Sequence, residues 1–164
     1  MSTPKIVRLS LLLGLALILA YIETLLPLPL PLPGLKLGLP NMVILYILNE
    51  NGYREALLVS FARVLMISLL FGTLFSPAFI ISFFAALFSW GAMSLAVCSG
   101  KFSLPGASIL GAATHNAVQI LIAGLLLQTR GVLYFLPFLL GASVPLGIMT
   151  GGIVLNLNKR IIKR

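Results

Sequence analysis

The polar residues that interrupt the apolar stretches of this sequence are its best candidates for chemistry. Arg63 stands near the middle of one stretch, and His115, Asn116 and Gln119 stand in another. A guanidinium in such a place receives an anionic ligand group or acts as an internal hydrogen-bonding strut. The three residues of the second stretch are spaced to share roughly one helical face. That face either lines a ligand site or forms hydrogen bonds between helices.

Three more polar residues lie near one end of these stretches. Glu23 closes the first stretch, where it pairs with Lys36 or Arg63, contacts a ligand, or is simply hydrated at the membrane interface. Lys36 lies in LPGLKLGLPN, residues 32–41, a segment rich in proline and glycine. Asn41 ends that segment, where capping a helix is the default role and a ligand contact the alternative. All three are candidate ligand-binding residues.

The ionisable residues are too few for the common enzyme chemistries. The chain has no aspartate, and its three acidic residues, Glu23, Glu50 and Glu55, do not cluster in one stretch. Diphosphate chemistry with Mg²⁺ needs carboxylates to hold the metal. The single histidine and single cysteine provide no zinc-ligand set, and no Gly-rich loop ends in Gly-Lys-Ser/Thr. We expect no catalytic residues, no metal and no cofactor.

The composition predicts that these residues work inside a membrane. The chain is 60% hydrophobic and 9% charged, with a mean hydropathy of +1.14, whereas soluble domains carry about 25% charged residues. The net charge of +8 would suggest nucleic acid in a soluble protein. Here six of the eleven basic residues lie at the extreme termini. Basic ends beside apolar spans indicate membrane lipid as the partner and argue against nucleic acid.

Six helical spans are predicted, at residues 6–26, 41–48, 53–70, 78–97, 107–128 and 132–155. The expected fold is an all-α integral membrane protein, a six-helix bundle in which residues 1–164 form one transmembrane domain. The first span is interpreted as a retained helix, because no small-residue cleavage site follows it. The second crosses only if the preceding loop dips into the bilayer. The sixth contains Pro137 and Pro145, which membrane helices tolerate.

An even number of spans places both termini on the same side of the membrane. With cytoplasmic termini, the inner side carries eight basic residues, including Arg54 and Lys101. The outer side then carries only Lys36 and Arg130. This bias predicts a multi-pass protein of the cell membrane with both ends inside and segment 32–41 outside.

Two small residues, Ala16 and Ala20, are spaced one turn apart in the first span. Such a pair lets another helix approach closely. The neighbour is either a helix of this protein or a helix of a partner subunit, for which the two alanines would form the docking face.

Several segments together resemble a known family. They are GLKLGLPN at 34–41, GYREA at 52–56, Arg63, FGTLFSPAF at 71–79 and GAATHNAVQ at 111–119. They resemble the heptaprenyl diphosphate synthase component I family, also called the Gx transporter family. This family is in turn similar to the substrate-binding S components of energy-coupling factor (ECF) transporters. The resemblance covers nearly the whole chain.

The resemblance implies a six-helix fold with an outer pocket beneath the loop between the first two helices. It also implies docking of the Ala16 and Ala20 face on a transmembrane coupling subunit that works with ATPases. On this interpretation, the protein captures a small, anionic, isoprenoid-like or vitamin-like ligand. The alternatives are a non-catalytic accessory subunit of a heptaprenyl diphosphate synthase, in isoprenoid and menaquinone side-chain synthesis, and a stand-alone channel or carrier.

Overall fold

A computed structural model of the chain describes residues 3–25 and 38–162. All regular structure in these ranges is helical, which confirms the predicted all-α class. The elements are α1 (Thr3–Leu25), α2 (Asn41–Glu50), α3 (Tyr53–Leu70), α4 (Pro77–Cys98), α5 (Leu104–Leu126), a 3-10 helix (Arg130–Phe135) and α6 (Leu136–Ile162). Lys36 and most of segment 32–41 lie outside the described residues.

Four stretches are long and apolar enough to cross a membrane. They are Thr3–Glu23, Pro77–Cys98, Leu104–Leu126 and Arg130–Arg160. The other two helices differ from them for simple reasons: α3 carries three charged residues among its 18, and α2 has only 10 residues. At 1.5 Å per residue, α2 is about 15 Å long, half of the roughly 30 Å hydrocarbon core of a bilayer. The protein is therefore a helical membrane protein in which one helix is of half length.

Glycines on α6 determine how closely it approaches α5. A Cβ atom on Gly147 would lie 2.6 Å from the Cα of Ile109, and one on Gly151 would lie 2.5 Å from the Cα of Pro105. No side chain fits at such distances, so the two backbones pack directly against each other, as small residues permit in membranes. One turn away, Ser108 and Thr150 join the same helices through their hydroxyl groups at 2.8 Å.

Polar contacts join neighbouring helices at one end of the bundle. Lys5, near the start of α1, forms an ion pair with Glu55 at the start of α3. Arg8 donates a hydrogen bond to Tyr46 near the end of α2, at 2.8 Å between Nη2 and the hydroxyl oxygen. We call this end, where α1 begins and α6 finishes, the terminal end. The opposite end, where α1 finishes at Leu25, is the distal end.

The predicted sixth span lies within the apolar stretch Arg130–Arg160 but consists of two helical elements. Residues 130–135 form the 3-10 helix, and α6 begins only at Leu136. Pro137 is therefore in the first turn, where the missing N–H has no intrahelical partner to lose. Of the two prolines expected inside this span, only Pro145 lies inside the helix.

Ala16 and Ala20 face the interior of the described bundle. Their exposed fractions are 0% and 6%, and Ala16 belongs to the main apolar core. The exposed side of α1 carries large residues instead, with Leu11 at 71% and Ile18 at 58%. The two alanines permit close contacts between helices of this protein, and their docking on a partner subunit stays a prediction.

A test of the α5–α6 packing uses neighbouring glycines. We expect Gly151→Ala to lower the free energy of unfolding by about 1–3 kcal/mol, because its Cβ meets the backbone of Pro105. Gly152 has nothing within 4 Å of its Cβ position, so Gly152→Ala should be neutral or slightly stabilising. Thermal unfolding of both variants in detergent provides the measurement. Equal melting temperatures would contradict the close approach.

Candidate functional site

A cavity of about 310 Å³ lies in the distal half of the bundle. Its walls come from α1, the segment before α2, α3, the start of α4 and α5. Two predicted site residues on α1 and α3, Glu23 and Arg63, line it together with His115 on α5. The volume falls at the lower end of the range for small-molecule pockets, about 300–1,000 Å³. Three of the sequence candidates, widely separated in the chain, therefore meet at one void.

Arg63 is the most constrained residue of this cavity. Only 7% of its surface is exposed, and its Nε atom has no hydrogen-bond partner in the described part of the chain. The carboxylate of Glu23 attracts the guanidinium electrostatically. A buried charge with a donor left over is costly unless an acceptor reaches it. The cavity is therefore a place where a ligand oxygen would be stabilised.

Glu23 connects the cavity wall to the segment that precedes α2. Its exposed fraction is 4%, and its Oε1 accepts a hydrogen bond from the backbone N–H of Gly38. Gly38 has a φ of +82°, which favours glycine. A Cβ there would also lie 3.2 Å from Nδ2 of Asn41. The last residues of the proline-rich segment are thus held at the cavity by a carboxylate that also faces Arg63.

The polar group on α5 divides between two roles. His115 lines the cavity and is 5% exposed. Asn116 turns toward α6, where its Nδ2 donates to the Ser143 hydroxyl at 2.9 Å and to the Leu139 carbonyl at 3.3 Å. Gln119 is also buried, but it is not among the residues that line the cavity. For Asn116, hydrogen bonding between helices is the correct alternative, so the expectation that all three share a lining does not hold.

Asn41 lies beneath the cavity and is not a helix cap. It is the first residue of α2, while Pro40 occupies the capping position. The Asn41 amide donates to the Ser89 hydroxyl at 3.3 Å, and that hydroxyl donates to the Gly111 carbonyl at 2.9 Å. This chain of hydrogen bonds joins α2 to α4 and α5. The capping interpretation of Asn41 is therefore wrong.

Sequence reasoning missed several lining residues at the distal turn between α3 and α4. Ser68, Phe71, Thr73, Ala78 and Ser82 all line the cavity. Three of them fall within FGTLFSPAF, one of the segments that carry the family resemblance. That segment was interpreted only as a turn, because its Gly-Thr and Ser-Pro pairs are typical of turns.

The fold and the cavity define a class: a helical membrane protein with a cavity at one end that is mainly apolar and is lined by the buried side chains of Glu23, Arg63 and His115. The described residues contain no group of three or more metal-binding side chains. Residues 12–157 match the family described as heptaprenyl diphosphate synthase component I, and the chain belongs to this family. No curated protein and no solved structure shows significant similarity to this chain.

The buried charge pair gives a stability prediction. Glu23→Gln should destabilise the protein by about 3–5 kcal/mol, because it leaves the Arg63 charge without its carboxylate. Combining it with Arg63→Met should recover part of this loss, since no buried charge then remains. Thermal unfolding in detergent measures both effects.

The matched control for Glu23→Gln is Glu50→Gln at the terminal end. Glu50 lies 3.8 Å from Arg8, and both side chains are partly exposed. Loss of the Glu50 charge should lower the free energy of unfolding by less than about 1 kcal/mol. Similar costs for the two variants would show that Arg63 does not depend on Glu23.

Proposed function

We propose that this protein is the membrane-embedded, substrate-binding subunit of an uptake system, similar to an S component. It binds one small anionic molecule, isoprenoid-like or vitamin-like, in the distal cavity. The observation that carries the proposal is Arg63, a guanidinium that is more than nine-tenths buried and whose Nε lacks a partner in the residues described. A ligand carboxylate or phosphate supplies the acceptor that this donor lacks.

The arrangement around Arg63 supports binding rather than catalysis. A hydrolytic or transfer reaction needs a nucleophile, a base positioned for it, or a metal. Among the described residues, the ionisable groups that line the cavity are Glu23, Arg63 and His115, and no group of three metal-binding side chains occurs. Glu23 is engaged by the Gly38 N–H and by Arg63, so it positions the site. His115, on the α5 wall, supplies an imidazole that can hydrogen-bond the ligand.

The route of uptake follows from the predicted topology. With both termini in the cytoplasm, the distal end faces outward and the cavity takes its ligand from outside the cell. Gly38 and Pro40, in the described part of the segment before α2, line the cavity and would contact the bound molecule. The chain has no ATP-binding motif, so partner subunits with ATPases drive the return to the inside.

The second candidate function is that of a non-catalytic membrane subunit of a heptaprenyl diphosphate synthase. The family match favours it directly, because the family is named as one component of that enzyme. Co-purification with a catalytic subunit that carries aspartate-rich metal motifs would support this function. Loss of prenyl-chain synthesis on deletion of the present chain would do so too.

The test of the uptake proposal compares molecules that co-purify with the protein. Wild-type protein in nanodiscs is denatured and its released small molecules are identified by mass spectrometry. We expect an anionic compound in wild type and at least about tenfold less in Arg63→Gln, since the charged hydrogen bonds to a buried group are lost. Arg54→Gln, at the terminal end, is the control and should retain the compound.

A second variant tests the same proposal in case Arg63→Gln does not fold. Ala78 lines the cavity but is exposed, so Ala78→Leu narrows the cavity without disturbing the core. It should also reduce the amount of bound compound. An unchanged compound in both variants would refute binding in this cavity. Uptake by liposomes that contain this chain alone would instead indicate a stand-alone carrier.

A further inference from the structure

A second void lies at the terminal end of the bundle, away from the cavity. It is an apolar groove of about 180 Å³, here called the α1–α6 groove. Its walls are formed by α1 and α6 and its floor by α2, and the residues used below are Leu12, Leu15, Val43, Tyr46, Val154 and Leu157. Leu15 and Leu157 are each 45% exposed, so the groove opens sideways, toward the bilayer.

Both walls of the α1–α6 groove continue into arginines at the terminal end. Arg8 precedes Leu12 by one helical turn, and Arg160 follows Leu157 by three residues, so each arginine shares a helix face with the apolar wall. The guanidinium of Arg8 lies 5.8 Å from the ring centre of Tyr46 and donates to its hydroxyl. An apolar groove with cations at one end complements an amphiphile with an anionic head.

We propose that the α1–α6 groove binds an anionic phospholipid. One acyl chain lies along the leucines, and the phosphodiester contacts Arg8 at the terminal end. Basic pockets between membrane helices recognise anionic headgroups in this way, because apolar contact and charge act on the same molecule. The Tyr46 ring lines the groove beside Arg8, an amphipathic position typical of the membrane interface.

The charge around Arg8 favours a phosphodiester over a prenyl diphosphate. Glu50 lies 3.8 Å from Arg8 and already compensates part of its charge. A diphosphate carries more negative charge than this site can balance, and prenyl-transfer and phosphoryl-transfer enzymes commonly add metal ions bound by carboxylates to neutralise it. No cluster of metal-binding side chains exists in the described ranges 3–25 and 38–162. Glu50 also competes with a lipid phosphate for Arg8. Removing the Glu50 charge should therefore raise the affinity for the lipid, whereas removing the Arg8 charge should lower it.

The experiment titrates full-length, delipidated protein in neutral detergent with phosphatidylglycerol and with phosphatidylcholine. Native mass spectrometry measures the lipid-bound fraction. We expect wild type to prefer phosphatidylglycerol, and Arg8→Gln to lower its affinity for that lipid about fivefold. Arg54→Gln removes another basic residue at the same end, outside the groove, and should leave the affinity unchanged.

Two further variants test the groove and the competing carboxylate. Leu15→Trp places a bulky ring at the groove and should reduce binding of both lipids. Ile6→Trp should not, because Ile6 is also exposed but lies on the opposite side of α1 from Leu12 and Leu15. Glu50→Gln should raise the affinity for phosphatidylglycerol. These variants test whether the groove binds the lipid even if Arg8→Gln fails to fold.

Three results would overturn the proposal. One is equal binding of the two lipids by wild type, and another is unchanged binding by Arg8→Gln and Leu15→Trp. The third is displacement of phosphatidylglycerol by farnesyl diphosphate at comparable concentration, which would assign the groove to prenyl diphosphates. None of these results bears on the distal cavity, which shares no lining residue with the groove.

Discussion

A buried guanidinium governs the distal half of this protein. An arginine inside a membrane bundle costs several kcal/mol unless charges and hydrogen-bond acceptors surround it. Arg63 therefore requires Glu23 nearby, which fixes where the end of α1 lies relative to α3. Glu23 in turn accepts the N–H of Gly38, which fixes the chain that enters α2. One charge thus positions three segments that are distant in sequence, and the cavity lies where they meet.

The short length of α2 helps to explain why the distal half of the bundle contains a cavity. A helix of 10 residues fills only the terminal half of its place in the bundle. In the distal half, the space between α3 and α5 contains polar side chains and a void. The cavity is therefore a consequence of helix length as well as of the residues that line it.

The sequence predicted where the helices lie along the chain better than which side of each helix faces the cavity. The bounds of α3 and the burial of Arg63 follow from apolar runs, turn residues and the cost of a charge in a membrane. Rotation about each helix axis is harder, because membrane helices are apolar on every side and periodicity gives little direction. Asn116 and His115 are adjacent in sequence, yet one bonds α6 and the other lines the cavity. Ala16 and Ala20 were ambiguous for the same reason, since small residues fit a neighbouring helix of either chain.

The cavity and the α1–α6 groove both lie next to α2: Pro40, just before α2 begins, lines the cavity, and Val43 and Tyr46 line the groove. A helix of this length is marginal on its own, so tertiary contacts must hold it. Asn41 connects its first residue to Ser89 on α4, and Tyr46 connects its second turn to Arg8 on α1. The first contact lies beneath the cavity and the second lies at the α1–α6 groove. Because Tyr46 both lines the groove and bonds Arg8, a lipid phosphate at Arg8 would act on the same contact that holds α2 in place. Polar contacts at its first residue and in its second turn therefore hold this short helix between the cavity and the groove.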